Sequence, residues 1–518
     1  MNGGDSQDEV FRFLANPMTH GLSEAVVRID TANAVVFLAG RDAYKVKRAV
    51  KYPFMDLSTL EKRREACEAE IAVNRHNAPN IYLEALPIVR DGLRLKLGGE
   101  AAVVEWVAHL RRFDDNLTLD RIAERAGISD EIVDKLAAAI RRSHTRAPLR
   151  DARAAAHSLE TYIEQNEAAL ALWPDLFPAA SATRLTRDAR LAFAIVRPVL
   201  LRRGRMGLVR RCHGDLHLRN IVLIDGEPTL FDAVEFSDEI ATGDVLYDLA
   251  FLLMDLEERG LRPAANRLFN RYMAPAPQQA IAGLAALPLF MSLRAAIRAK
   301  VEAAGADRLE GEAREKTRTL ARRYFDLARA LLRHQPPRLI AVGGLSGVGK
   351  SALAAVIAPK LGRAPGALWL RSDVERKMMF EVEDETERLP ESAYFEEARR
   401  EVYRRIDDKA RRALGAGHTV VLDATFATTR ERRIAARIAT EVGVAFAGLF
   451  LEAPLETRLA RTSQRKGDAS DADAAVAAVQ RADPLQEPGW TSLPAGADLA
   501  ETAALALARI GFDRSDKP

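Results

Sequence analysis

Two kinds of hydrophobic pattern divide this chain. Between about Val26 and Leu97, two short β-rich runs, Ala34–Ala39 and Ala43–Val46, flank Gly40-Arg41-Asp42, which reads as a hairpin turn. A helical stretch from Ser58 to Asn77 interrupts this region. From about Asp120 to Arg333 the spacing of apolar residues is mainly helical, apart from a β-like island around Asn220 to Phe236. Gln335-Pro336-Pro337 breaks the periodicity and marks a linker. Beyond it strand and helix alternate. Leu339–Val342 precedes a helix from Lys350, and Ala367–Leu370 leads to Asp373. A charged helix spans about Ser392 to Leu414, Thr419–Leu422 ends at Asp423, and Ala445–Leu451 precedes an arginine-rich helix. Strands separated by helices predict a parallel sheet with helices on both faces, binding its ligands outside the C-terminal strand ends. The expected division is residues 1–112, 113–334 and 338–518, and no repeat of fixed period is visible.

Composition narrows the function classes. A chain of 518 residues is too long for one core, and 48% apolar with 29% charged residues is the balance of a folded protein. Lys and Arg number 76 against 73 Asp and Glu, a net +3, which argues against a broad basic face for duplex nucleic acid. The two cysteines, Cys67 and Cys212, stand far apart, so neither a disulfide framework nor a cysteine zinc site is expected, and a reducing compartment fits. Met1 to Glu9 is polar and acidic, unlike a signal peptide. The longest apolar stretch, Ile281 to Leu293, is about 13 residues where a bilayer span needs about 20. The expectation is a cytoplasmic protein without a membrane partner.

Gly344-Leu345-Ser346-Gly347-Val348-Gly349-Lys350-Ser351 matches the complete P-loop pattern between an apolar strand and a helix. Its glycines let backbone N–H groups of Gly344, Ser346, Gly347, Val348 and Gly349 turn toward phosphate oxygens, and the helix N-terminus adds positive potential. Lys350 is placed to reach the β- and γ-phosphates, and the Ser351 hydroxyl to bind Mg²⁺. Asp373, after the second strand, is the candidate base for an acceptor hydroxyl, and Arg376 lies on the same helical face, where it could hold an acceptor anion. Asp423 ends an apolar strand, as a carboxylate ordering the Mg²⁺ shell would. Arg458, Arg461 and Arg465 recur at three- and four-residue spacing, either a cationic face closing over a triphosphate or a solvated face. Asp468 to Asp473 reads as a polar lid segment.

This half resembles the P-loop kinase family that includes polynucleotide kinase and related small-molecule kinases. The resemblance rests on the Walker motif, the Asp373-x-x-Arg376 pair and the arginine-bearing helix, and covers nearly all of residues 338–518. It implies transfer of the γ-phosphate of ATP to a hydroxyl, with Asp373 as base and Arg461 and Arg465 at the transferring group.

A second constellation lies upstream. His213-Gly214-Asp215-Leu216-His217-Leu218-Arg219-Asn220 is followed by Leu230-Phe231-Asp232. An Asp, an Asn five residues later and another Asp after a short hairpin suit phosphotransfer, with Asp215 orienting the acceptor and Asn220 and Asp232 holding Mg²⁺. The string resembles the aminoglycoside phosphotransferase and choline kinase branch of the protein-kinase-like fold, where His-Gly-Asp replaces His-Arg-Asp. Gly243-Asp244 and Tyr247-Asp248-Leu249-Ala250 fit the same branch. The resemblance implies a bilobal N-terminal fold in which Lys45 or Lys47 bridges the ATP phosphates and pairs with Glu70, with Glu68 in reserve. Residues 103–107, with Glu105 and Val107, are expected to form the adenine hinge. The glycine-rich loop before Lys45 and the glycine after Asp232 are both absent, and Glu235 near the latter is either a ligand or capped.

Together the patterns resemble a bacterial fusion of an aminoglycoside phosphotransferase-like domain with an ATP-binding P-loop kinase domain. The expected class is α/β and α+β, a protein-kinase-like fold followed by a P-loop domain. The implied partners are ATP, Mg²⁺ and a small hydroxyl acceptor. The rivals are a kinase of 5′-hydroxyl nucleic-acid ends and a unit that senses ATP without transferring phosphate.

Overall fold

The computed structural model describes residues 4–52, 55–382, 387–464, 470–471, 474–496 and 498–511. They pack as two compact units, Met1–Ser158 with Gly204–Leu252, and Leu159–Arg203 with Leu253–Pro518. Helix Gly311–Leu331 and strand Arg338–Gly343 do flank the proline linker. The packing border falls earlier, because the helices after Leu253 pack with the strand–helix region that follows.

The first unit holds a six-stranded antiparallel sheet in the order Val27–Asp30, Ala34–Ala39, Asp42–Lys47, Ala102–Arg111, Tyr82–Asp91, Arg94–Leu97. Its central hairpin turns on Gly40 and Arg41, with Gly40 at φ 58°, so the second strand begins at Asp42 and is longer than its apolar run predicts. Val35, Phe37, Val46, Ile88 and Val107 pack with Val10, Phe11 and Leu14 of helix Gly4–Ala15 on one face. Each such buried side chain contributes about 1.5–3 kcal/mol. Since Val46 faces that core, alternation turns Lys45 and Lys47 together to the other face. Helix Leu60–Asn74 brings Glu70 to them, and it starts at Thr59, whose hydroxyl accepts the Lys62 N–H at 3.3 Å. Further on, strand Val209–Arg211 pairs with Thr242–Asp244 and delivers the segment containing Asp215. The β-like island is a hairpin, Ile221–Ile224 with Glu227–Leu230. Asp225 and Gly226 both take positive φ in its two-residue turn, which returns the chain to Asp232.

In the second unit, helices Leu287–Ala306 and Gly311–Leu331 pack along each other. The run Gln278–Ala306 is long and apolar enough to cross a membrane, but 83% of its most apolar window is buried inside the protein, as in a core helix. Five parallel strands form the sheet, in the order Leu368–Arg371, Val420–Asp423, Arg338–Gly343, Ala445–Glu452, Trp490–Pro494. The first strand in sequence is thus central, and the order reverses at its carboxyl end, which opens a crevice there. The fifth strand was not expected. It is short, at the sheet margin, half-exposed and ends in proline, so it carries no apolar run.

Candidate active sites

The first site is organised around Glu70. Lys45 Nζ lies 2.7 Å from Glu70 Oε1 and 3.1 Å from Asp232 Oδ1. Lys47 Nζ lies 2.7 Å from Glu70 Oε2 and 2.5 Å from Glu235 Oε1. The two lysines therefore differ. Lys47's side chain is 2% exposed and its carboxylate partners are buried with it, whereas Lys45 reaches toward Asp232, whose side chain is 47% exposed. Burial alone would lower the Lys45 pKa, but Asp232 and Glu70 outweigh it and hold the ammonium well above its usual range. Burial would raise Glu70, and the two lysines reverse that, keeping it ionised. Glu235 is thereby taken up by Lys47. Glu68 faces outward, 2.9 Å from Arg64.

Glu105 and Val107 are not at a hinge. Both lie inside strand Ala102–Arg111, where Val107 is opposite Val46 and fully buried. The Glu105 carboxylate accepts from Arg63 Nε at 2.9 Å and from Gln7 Nε2 at 2.9 Å. Glu105 instead forms a buried ion pair between sheet and helix. The strand leaves the sheet only after Arg111, so the connection to the following helices is Arg112 to Leu117. In place of a glycine-rich flap, the connection Thr31-Ala32-Asn33 is closed by the Thr31 hydroxyl, which accepts the Ala34 N–H at 3.0 Å.

Asn220 Nδ2 donates to the Asp215 carbonyl at 2.9 Å and to its Oδ2 at 3.0 Å, while His217 Nε2 lies 3.3 Å from the same Oδ2. With its amide nitrogen spent on Asp215, Asn220 can offer its oxygen to a cation. The Phe231 N–H donates to the Asn220 carbonyl at 3.0 Å, tying the hairpin exit to this turn. Asp232 follows at φ 59°, and its N–H donates to Tyr82 Oη at 3.0 Å. Sequence reasoning assigned no role to Tyr82 or to Asp248. The buried Asp248 accepts the Gly214 N–H at 2.8 Å and lies 3.0 Å from His144 Nε2, so it anchors the loop that carries Asp215. His213 is buried, and burial lowers its pKa against the pull of Asp248 and Asp215. Cys212, His144 and Asp248 cluster within 4.8 Å, which spacing along the chain did not reveal.

The second site lies at the crevice of the parallel sheet, in a cavity of about 500 Å³ lined by Gly347, Lys350, Ser351, Asp373, Arg376 and Arg461 among others. Gly344, Gly347 and Gly349 take φ values of 134°, 81° and 103°. A Cβ on Gly347 would come 2.3 Å from the Arg458 carbonyl, so the loop's backbone is held tightly against that helix. Arg461 Nη1 donates to the Val348 carbonyl at 3.1 Å, and Lys350 Nζ to that of Leu345 at 3.4 Å. The Ser346 N–H donates to Gln480 Oε1 at 2.8 Å. Arg458 points elsewhere, buried and donating to the Ala477 carbonyl. Arg465 lies outside the described residues, as do residues 468–469 and 472–473 of the expected lid. Asp471 is described. It accepts the Leu389 N–H at 3.1 Å and pairs with Lys377 at 3.3 Å.

Asp373 Oδ1 lies 3.0 Å from Arg376 Nη1, and that guanidinium sits 5.0 Å from the centre of the Tyr394 ring. Arg376 Nε is buried without a hydrogen-bond partner. Asp423 is buried, which raises its pKa against Arg371, Lys350 and a hydrogen bond from Ser351. The Trp369 indole donates to its Oδ2 at 3.2 Å. Ser351 and Asp423 therefore sit together at the mouth of the glycine loop.

Residues 24–287 match the model of the phosphotransferase enzyme family, and residues 339–484 match an AAA domain model. The uncharacterized protein Rv2004c of Mycobacterium tuberculosis H37Rv is 31% identical over 456 residues, 87% of this chain and 88% of its own. The uncharacterized protein Mb2027c of Mycobacterium bovis has the same identity and coverage. Among solved structures, a choline/ethanolamine kinase family protein from Mesorhizobium loti is 17% identical, covering 62% of this chain and 99% of its own, with a TM-score of 0.36. The GDP complex of aminoglycoside 2′-phosphotransferase-IIIa is 13% identical over 61% of this chain and 98% of its own, with a TM-score of 0.39. A gluconokinase from Sinorhizobium meliloti is 22% identical over 35% of this chain and 94% of its own, with a TM-score of 0.26.

Proposed function

Because the chain belongs to the phosphotransferase enzyme family and continues into a P-loop kinase domain, we propose that it is an ATP:alcohol phosphotransferase with two separate transfer sites. One observation carries this reading. In each unit a carboxylate, Asp215 or Asp373, shares a site with a lysine, Lys45 or Lys350, and with two further oxygen-bearing side chains, Asn220 and Asp232 or Ser351 and Asp423, which supports reading them as base, phosphate contact and metal ligands.

At the first site Lys45, held charged by Glu70 and Asp232, meets the nucleotide phosphates. Asp215, fixed by Asn220, takes the proton from an acceptor hydroxyl as its oxygen attacks the γ-phosphorus of ATP and the bond to the bridging oxygen breaks, releasing ADP. Asn220 and Asp232 hold the metal there, and Ser351 and Asp423 hold it at the second site. Mg²⁺, when bound, neutralises charge on the β- and γ-phosphates. At the second site Lys350 and the glycine loop cradle the phosphates, Asp373 is the base, and Arg461 stabilises charge on the transferring group.

The second acceptor carries a negative charge in this reading. Arg376 stands beside the base with a buried nitrogen left over after its bond to Asp373, and Arg399 and Arg481 also line the cavity. A small hydroxy acid or phosphorylated alcohol would meet that guanidinium in the cavity, and a 5′-hydroxyl oligonucleotide is the competing acceptor.

The test is a metabolite screen for phosphate gain with wild type, Asp215→Ala and Asp373→Ala. Each variant should lose one acceptor-dependent release of ADP and keep the other. Wild-type turnover by both variants with every acceptor would refute the assignment of the bases.

A further inference from the structure

The helix Arg262–Met273, upstream of the P-loop domain and in the same compact unit, carries two buried asparagines one turn apart, Asn266 and Asn270. Buried amides are costly unless hydrogen-bonded, and these two are spent on one strand of the parallel sheet. The Trp369 N–H donates to Asn270 Oδ1 at 2.7 Å. Asn270 Nδ2 and Asn266 Nδ2 donate to the Ala367 carbonyl at 3.2 Å and 3.0 Å. Asn270 thus accepts from one residue and donates to the carbonyl two residues before it, the pattern a neighbouring strand would offer. Among the described residues Leu368–Arg371 has a strand partner on one side only, and the asparagines occupy the other. Gly366 makes the approach possible. Its φ is 110°, and a Cβ there would come 2.7 Å from Asn266 Nδ2. Arg262 adds bonds to the carbonyls of Pro359 at 2.7 Å and Gly362 at 2.8 Å.

The grip leads into the reaction centre. Trp369, held by its backbone, donates its indole N–H to Asp423 at 3.2 Å, and the chain reaches Asp373 two residues after this strand ends. A second tie follows the same route. Lys409 Nζ donates to the Ala274 carbonyl at 3.1 Å, just past the asparagine helix, and to Glu375 at 2.7 Å, within the helix that carries Asp373.

We propose that Asn270 is a positioning residue for phosphoryl transfer at the P-loop site, acting through Trp369 on the Asp423 carboxylate and through the strand on Asp373. The proposal rests on the reading of Asp423 as a metal-shell residue and Asp373 as the base. Helices that precede the P-loop domain in sequence are then part of its catalytic apparatus.

The experiment uses the full chain carrying Asp215→Ala, so that ADP release reports the P-loop site, with ATP and Mg²⁺ as probes and water as acceptor. Asn270→Leu, of similar size but without polar atoms, should speed hydrogen exchange of the Trp369 amide and raise the half-saturating Mg²⁺ concentration about tenfold. Asn270→Asp keeps the acceptor for Trp369 and should recover most of the Mg²⁺ dependence. In the chain with Asp215 intact, the Asp215-dependent activity should be unchanged by Asn270→Leu. Faster Trp369 exchange with unaltered Mg²⁺ dependence would overturn the proposal, as would an equal loss at both sites. If Asp373→Ala in the same background leaves ADP release intact, the assignment of the P-loop site itself has failed and the positioning role falls with it. The Trp369 exchange rate still reports the brace in that case, which separates the two failures.

Discussion

Lys47 and Glu235 meet at 2.5 Å, and that ion pair sets apart two lysines that share one face of the same strand. Lys47 is enclosed between Glu235 and Glu70, while Lys45 shares Glu70 and extends toward the exposed Asp232. The same alternation that places both on one face leaves them in different surroundings.

Lys45→Met should therefore lower Asp215-dependent transfer by about 10²–10³-fold, the scale for losing one preorganised charge contact, with little change in stability. Lys47→Met should instead destabilise the first unit by about 3–5 kcal/mol, because it leaves Glu235 without its cation and Glu70 with Lys45 alone. Urea unfolding and initial rates on the two variants distinguish these outcomes.

Tyr82 holds the backbone of Asp232, the metal ligand proposed above. Its hydroxyl is the acceptor for the Asp232 N–H, at a residue whose φ of 59° is uncommon outside glycine. Tyr82→Phe leaves that N–H unpaired at a cost of about 1–3 kcal/mol. The expected result is a raised Mg²⁺ requirement for Asp215-dependent transfer and an unchanged P-loop reaction, both read by titrating Mg²⁺ against rate.

Gly347→Ala should abolish ATP binding at the P-loop. Its φ of 81° disfavours any side chain, and the new methyl would strike the Arg458 carbonyl and the Thr462 hydroxyl within 2.5 Å. Calorimetric titration of ATP should then show one site instead of two.

His418 makes the second unit acid-sensitive. Burial, with Arg363 nearby, lowers its pKa to about 3 against the hydrogen bond it gives the Gly366 carbonyl. Between pH 6.5 and about 3 the unfolded chain binds a proton here that the folded chain refuses. The native state is thus unpenalised above 6.5 and loses about 1.4 kcal/mol per pH unit below it from this group. His418→Gln keeps a donor for Gly366 and should flatten the fall in urea midpoint between pH 7 and 5.

Much of this architecture was legible because its chemistry is local in sequence. The glycine loop, Asp373 with Arg376, and the Asp215–Asn220 turn each bring their groups together within eight residues, and a short hairpin returns the chain from Asn220 to Asp232. Alternation around Val46 also showed that Lys45 and Lys47 share a face. What pattern could not supply was the partner across the fold. Lys45 and Lys47 look alike until Glu235, far along the chain, takes one of them. Residues 103–107 were expected at a hinge, whereas Glu105 lies inside the sheet, paired with Arg63 and hydrogen-bonded by Gln7, two partners distant in sequence. Asp248 and Tyr82 act on backbone N–H groups, which leave no trace in side-chain spacing. Trp490–Pro494 lies at the sheet margin and lacks the apolar run that reveals the central strands.

The asparagine grip on Leu368–Arg371 bears on how the protein can be dissected. The proline linker invites a cut at Pro336, but a fragment beginning there would lose the helix that occupies the unpaired side of this strand. Its bare N–H and C=O groups would then form a template for intermolecular strand addition. Such a fragment should collect in the pellet, while one that starts upstream of Arg262 and keeps its own cover stays dispersed.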